Sequence, residues 1–283
     1  MTGPGGDESR IPTVDETTTV DAATARAADG DAWQAHGLIR AGSGGAVAEH
    51  PGVRTMASGL PHPQWNNADV HDPSAADVGA VAHWYERQGV PWGFRVPAGA
   101  EWRHGRLLFR CRLMALDAST LRPTTADGVT VRAASERDLD DVVAVDAQAF
   151  GGDPATAWML PLLRSSRATV ALATIRGRAV ATGYALRSDG WAGPSALLAG
   201  IGVLPAARRR GVGAALSSWL LQRAFEDGAR ISVLNPDSDD AARVYSRLGF
   251  SEVEGFAIHT AEQAPPAPAA PAPDSGNAGP ATS

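Results

Sequence analysis

The chain has 283 residues, a formal net charge of −6 at neutral pH, 44% hydrophobic and 20% charged residues, and a length that allows two modest lobes with real cores. A single cysteine excludes an internal disulfide, and the absence of lysine makes all 25 basic residues arginine, which excludes nucleotide hydrolysis through a lysine-bearing phosphate loop. No apolar stretch approaches membrane-span length and no signal-peptide core is present, so a soluble, cytoplasmic protein without a membrane partner is expected.

Residues 1–31 carry two arginines against seven acids. Such a segment buries too little apolar surface to fold, and it is predicted to be disordered. Residues 32–122 read as a small α/β lobe. Gly52 to Ala57 is a strand, Asp72-Pro73 opens a helix through Val78, Val81, Ala82, Trp84 and Tyr85, and Gly89 ends it. Pro91 to Val96 and Leu107 to Leu116 are further strands, with Arg103-His104-Gly105-Arg106 as a hairpin turn and Cys111 as a small buried hydrophobe. The loop from Leu60 to Asn67 is rich in polar and aromatic residues. Either Trp65 plugs a lobe interface and Asn66 and Asn67 cap local turns, or the loop forms an acceptor-binding lip with Trp92 and Trp102. His62 and His71 lack partners at metal-ligand spacing, so no metal is expected.

Residues 128–262 read as a second α/β domain. Val129 to Arg132 is a strand. Ser135 with Asp138 opens a helix bearing Leu139, Val142, Val143, Val145 and Ala149, and Asp153-Pro154 opens another through Trp158 and Leu162. Thr169 to Ile175 and Ala179 to Leu186 form a hairpin about Arg176-Gly177-Arg178. The apolar run from Ser195 to Val203 is a strand that Pro205 stops.

Arg208-Arg209-Arg210-Gly211-Val212-Gly213 then leads into a helix carrying Leu216, Trp219, Leu220 and Phe225, closed by Gly228. Without a Cβ, Gly211 and Gly213 let backbone N–H groups approach a phosphate, with the positive end of the helix dipole behind them. A short strand, Ile231 to Leu234, precedes the turn Asn235-Pro236-Asp237-Ser238 and a helix with Ala241, Val244, Tyr245 and Leu248 on one face. Gly249 ends that helix and Ser251 to His259 is the last strand. The Pro/Ala-rich tail 264–283 is predicted to be disordered.

The arginine–glycine turn and the helix Ser238-x-x-Ala241-x-x-x-Tyr245 closing on Leu248-Gly249-Phe250, in that order, resemble the two signatures of the GNAT N-acetyltransferase superfamily, the second of which usually has asparagine where Ser238 stands. The resemblance implies a mixed α/β (α+β) sheet flanked by helices in the order βααβββαβαβ. It also implies acetyl-CoA as co-substrate, its pyrophosphate gripped by Arg208, Arg209, Arg210, Gly211, Val212, Gly213 and Ala214. Backbone around Ile201 and Val203 would pair with the pantetheine arm, and an N–H near Val203 would face the thioester carbonyl. Ser238 would stand on the cofactor side, and Tyr245 would protonate the departing thiolate. For Tyr245 the alternative is a core aromatic. The N-terminal lobe looks like a truncated, non-catalytic copy, as in tandem members of the mycothiol synthase type.

The expected acceptor is a primary amine of a small or amino-acid-like molecule. A protein amine, or a non-catalytic acyl-CoA-binding regulatory module, is the alternative, the latter motivated by Ser238 and by the absence of a carboxylate on Leu197 to Gly202. Asp189 and Tyr184 are the candidates for a general base. A near-neutral body with no basic stripe argues against nucleic acid, and a monomer or homodimer is expected.

Overall fold

The computed structural model describes residues 19–261. The disorder expected for residues 1–18 and for the tail 264–283 lies outside the described residues. In chain order the elements are α1 (Ala22–Leu38), β1 (Ala46–His50), β2 (Val53–Ala57), β3 (Asn67–Val70), α2 (Val78–Gln88), β4 (Gly93–Pro97), β5 (Leu107–Asp117), β6 (Val129–Ala133), α3 (Leu139–Phe150), α4 (Thr156–Arg164), β7 (Ala168–Ile175), β8 (Arg178–Gly190), β9 (Gly193–Val203), α5 (Val212–Glu226), β10 (Ile231–Leu234), α6 (Asp239–Leu248) and β11 (Ser251–Thr260). The strands form one mixed sheet of eleven, in the order β1-β2-β3-β4-β11-β5-β10-β9-β8-β7-β6. Alternate residues face opposite layers. Val170, Leu172, Tyr184 and Leu186 pack with α3 and α4, and Leu113, Ala115, Leu197 and Val233 pack under α1. The opposite face carries α5 and α6 over Ala171, Ala185 and Leu198, and α2 over Val53, Phe94 and Val96.

Two expectations need correction. Residues 22–31 are not disordered: they begin α1, capped by Asp21, whose side chain accepts from the Thr24 N–H at 2.9 Å. Two of the acids that made this segment look unfoldable, Asp29 and Asp31, are paired inside the protein. Arg54 binds Asp31 at 2.6 Å and Asp69 at 2.9 Å, and Arg95 binds Asp29, all of them buried. Gly30 lies between these acids because a Cβ there would fall 2.0 Å from Arg54 Nη2. A glycine inside a helix costs about 1 kcal/mol, and here it admits the guanidinium that holds the helix down.

The second correction concerns the lobe boundary. Residues 107–117, assigned to the N-terminal lobe, form β5, which lies between β10 and β11 and is antiparallel to both. The earlier segment thus completes the sheet of the later one. β4 and β5 flank β11 instead of pairing with each other. Residues 103–106 are therefore no hairpin turn but a connection across the end of β11, tied there by Thr260 N–H donating to the Arg106 carbonyl at 3.0 Å.

Smaller shifts have local causes. α2 begins at Val78 with Asp77 as its cap, because Asp72 instead holds a turn through Ser74. α4 begins at Thr156, two residues beyond Pro154. The Ser135–Asp138 capping box forms as expected. Arg176 and Gly177, at φ 50° and 77°, make the two-residue turn between β7 and β8, a conformation whose twist matches that of the strands.

Candidate active site

The end of β9 is built from glycines with separate duties. Tyr184 pairs with Ala199 and Thr182 with Gly202, so Gly200 and Ile201 together oppose Gly183. Gly200, at φ 63°, is the left-handed first residue of this bulge, and a Cβ there would stand 3.0 Å from the Tyr184 ring. At Gly202 a Cβ would press on Ala149 at 2.9 Å and on Phe150, which brings the C-terminal end of α3 directly onto β9.

On its other side β9 is open. It pairs with β10 only from Ser195↔Ile231 to Leu197↔Val233. β10 stops at Leu234 while β9 continues to Val203, so the strands part and the edge at Ile201 and Val203 has no strand beside it. The far wall of the gap is β5, fastened by Asn235 Nδ2 donating to the Arg112 carbonyl at 2.9 Å.

β9 leads into a tight turn at Pro205–Ala207 and then to the start of α5, with Arg209 at φ 63° and Gly211 at φ 76°. Among the described residues, the N–H groups of Arg209, Arg210, Gly211, Val212, Gly213 and Ala214 meet no protein acceptor. The first paired donor is Ala215 N–H, on the Gly211 carbonyl at 3.0 Å. A Cβ on Gly213 would meet nothing nearer than Val203 Cγ2 at 3.4 Å. Unpaired donors at the positive end of a 15-residue helix suit a pyrophosphate. Arg209 and Arg210 are exposed beside them. Arg208, expected to grip the pyrophosphate with them, is engaged within the protein: its Nε donates to the Val203 carbonyl at 3.1 Å and its Nη2 to the Ala149 carbonyl at 2.9 Å. It braces β9 against α3.

Tyr245 lies on α6, its ring 5.9 Å from that of Phe250 in edge contact. Burial pushes its phenol up to about 12, reinforced by the charge of Asp237, with the Ser217 hydroxyl pulling the other way. Ser217 Oγ is buried and has no hydrogen bond in normal geometry. Ser238 accepts from Ala241 N–H at 3.2 Å and donates to Asp237, so its hydroxyl is engaged in capping α6.

Residues 130–253 match the family model for the acetyltransferase (GNAT) domain. This span is a GNAT acetyltransferase domain. The chain is thereby an acyltransferase. Among solved structures, a GCN5-related N-acetyltransferase from Kribbella flavida superposes with a TM-score of 0.64 at 21% identity, over 84% of this chain and 96% of that one. A GNAT-family structure from Novosphingobium aromaticivorans gives 0.56 at 18%, over 86% and 100%, and a GCN5-related N-acetyltransferase from Sphaerobacter thermophilus gives 0.51 at 18%, over 74% and 76%. At these identities the likeness is one of fold, and in the first two it extends well beyond the GNAT domain into the N-terminal half. No curated protein matches the sequence.

The face of the GNAT domain opposite α5 holds a polar cluster that the sequence reading missed. Arg40, just after α1, is buried; its Nη1 lies 3.0 Å from His36 Nδ1 and its Nη2 donates to the Trp158 carbonyl at 2.6 Å. His36 Nε2 in turn lies 3.4 Å from the Tyr184 hydroxyl. Arginine only donates, so His36 Nδ1 must accept, and the neutral ring carries its proton on Nε2, facing Tyr184. Burial first, and the Arg40 charge second, hold His36 well below its ordinary value and keep it neutral. Trp158 stacks between His36 and Trp65, at centroid distances of 4.7 and 4.8 Å. Trp65 thus closes its loop onto α4, as the interface alternative anticipates. Trp92 and Trp102 instead pack in the α2 cluster with Tyr85 and Phe94.

Asp146 on α3 is the other residue missed. It follows Val142 and Val143, which are buried against Tyr184, and precedes Ala149 and Phe150, so helical spacing puts it on the face turned to β8 and β9. Burial alone raises its carboxyl to about 6. An acid within an otherwise apolar stripe was the available signal. Asp189, by contrast, pairs with Pro194 at the far end of β9, roughly 25–30 Å from the glycine turn at about 3.3 Å per residue. It lines a shallow cavity of about 420 Å³ with Arg187, Ser195 and Asp227, remote from the cradle.

Proposed function

We propose that this acyltransferase moves an acetyl group from acetyl-CoA directly to the primary amine of a small or amino-acid-like molecule. The run of unpaired N–H groups from Arg209 to Ala214, opening onto the gap between β9 and β10, is the observation that carries this reading. In it, residues 209–214 hold the pyrophosphate, and the free edge at Ile201 and Val203 pairs with the pantetheine arm as an added strand would. An N–H near Val203 stabilises negative charge developing on the carbonyl oxygen. Tyr245, neutral throughout the physiological range, gives its proton to the departing thiolate. The described residues include no helix long and apolar enough to cross a membrane.

Calorimetric titration with acetyl-CoA, followed by thiol release on adding a panel of primary amines, tests the reading. Binding with release is expected, and Gly211→Trp should abolish the binding because an indole would fill the cradle. Binding without release on any amine would overturn the transferase assignment to amines, and unchanged affinity in Gly211→Trp would overturn the cradle.

A further inference from the structure

The reaction proposed above begins from an ammonium, which must lose a proton before its nitrogen can attack, and β9 offers no carboxylate to take it. The strands and helices around the bulge bring one from elsewhere. Asp146 lies one helical turn before Ala149 and Phe150, the two residues that press on Gly202. It is also one turn after Val142 and Val143, which pack with Tyr184. Tyr184 in turn lies against Gly200 at the bulge. The carboxylate is therefore framed by the stretch of β9 where the thioester carbonyl is expected.

Among the described residues Asp146 has no ion pair, although nine arginines elsewhere in the described chain do form one. It is only half-buried, so its oxygens are not sealed in the core. A carboxylate left without a partner on an apolar helix face costs stability, and its retention calls for a cation supplied from outside.

The groups that face it are few. From β8 there is Tyr184, whose phenol feels the Asp146 charge; behind Tyr184 lie neutral His36 on α1 and charged Arg40 just after it; and at the end of α3 is Arg208, held on the Ala149 carbonyl. Because the Arg40-to-His36 contact fixes the imidazole with its Nε2 proton toward Tyr184, the Tyr184 oxygen accepts there and its own O–H is left to donate. β9 contributes no titratable side chain between Leu197 and Val203.

We propose that Asp146 receives the acceptor's ammonium group and takes the proton that frees its nitrogen for attack. This rests on the amine-acetylation reading above and adds its proton acceptor. The ammonium gives one proton to Asp146, which passes it to solvent. The freed lone pair forms the C–N bond and the C–S bond breaks. Tyr245 protonates the thiolate and regains a proton from the nitrogen, which loses its second on becoming an amide. One proton is released for each acetyl transferred. A carboxyl raised towards 6 by burial suits this task, since a proton acceptor works best near the operating pH.

The test uses the full chain, acetyl-CoA and two probes of similar size: ethylamine, protonated at neutral pH, and 2,2,2-trifluoroethylamine, largely neutral there. Asp146→Asn should lower thiol release with ethylamine by about 100-fold and release with trifluoroethylamine by only a few-fold, while calorimetric affinity for acetyl-CoA stays unchanged. Asp146→Glu should recover part of the ethylamine rate. Equal losses with both amines, or no loss with either, would overturn the role of Asp146. If the wild-type chain binds acetyl-CoA but acetylates neither probe nor any member of the wider amine panel, the amine-acetylation reading fails, and this proposal with it.

Discussion

Replacing Gly200 with alanine tests whether the bulge that opens β9 depends on the absence of a side chain. Gly200 sits at φ 63°, where a residue with a Cβ costs roughly 1–2 kcal/mol. The new methyl would also stand 3.0 Å from Tyr184 Cε1 and 3.2 Å from Cδ1. Tyr184 cannot swing clear at no cost, because its ring is 4% exposed and its hydroxyl is engaged with His36. Strain and displacement together should cost roughly 2–4 kcal/mol, a fall in Tm of roughly 4–8 °C for a chain of this size. Gly177→Ala supplies the control. Its φ is 77°, yet nothing lies within 4 Å of the added methyl, so it should bear the conformational part alone, roughly 1–2 kcal/mol. Thermal melts followed by circular dichroism and thiol release from acetyl-CoA give the two readouts. Gly200→Ala should melt below Gly177→Ala and lose turnover, while Gly177→Ala keeps wild-type turnover. Equal melting temperatures for the two variants, or full turnover in Gly200→Ala, would refute the reasoning.

Tyr245→Phe should lower thiol release by about 100-fold with unchanged calorimetric affinity for acetyl-CoA; since burial pushes the phenol up to about 12, wild-type turnover should show no alkaline loss from this group up to about pH 10. Full turnover in that variant would return Tyr245 to a packing role. Arg54→Met leaves Asp31 and Asp69 buried without their cation, which should cost roughly 3–5 kcal/mol; a urea midpoint close to the wild-type value would mean that the network does not hold α1. Asp146 carries a folded-state value near 6, above the ordinary carboxylate value, so the folded form binds more protons between these values and its stability falls as pH rises through that window. Asp146→Asn removes the ionised form. It should melt above wild type at pH 8 and level with it at pH 4, and the same difference at both pH values would contradict the burial of this carboxyl.

Much of the GNAT domain was legible in the chain because its signals are local. Pro205 ends a strand wherever it stands, Gly211 and Gly249 supply left-handed backbone at helix ends, and the hydrophobic alternation of β7 and β8 needs no distant partner to be read. The arginine–glycine turn and the Tyr245 helix were legible for the same reason, and the backbone places the turn at the N-terminus of α5, as the glycines required.

What the sequence could not convey is pairing between distant segments. α1 is rich in alanine and acids, and its helix persists because Arg54 and Arg95, from strands far along the chain, neutralise Asp31 and Asp29 in the interior. β5 carries an ordinary strand pattern that fits either lobe, and only its hydrogen bonds to both β10 and β11 assign it to the GNAT sheet. Asp146 has the same character. In sequence it is one acid in an amphipathic helix, and it becomes a candidate for chemistry only where α3, Tyr184 and the β9 bulge meet, because desolvation and the lack of a counter-charge are properties of the assembled site. Composition and local pattern determined the elements and the cradle; tertiary contact decided which charges are buried, which strand closes the sheet, and where a proton can go.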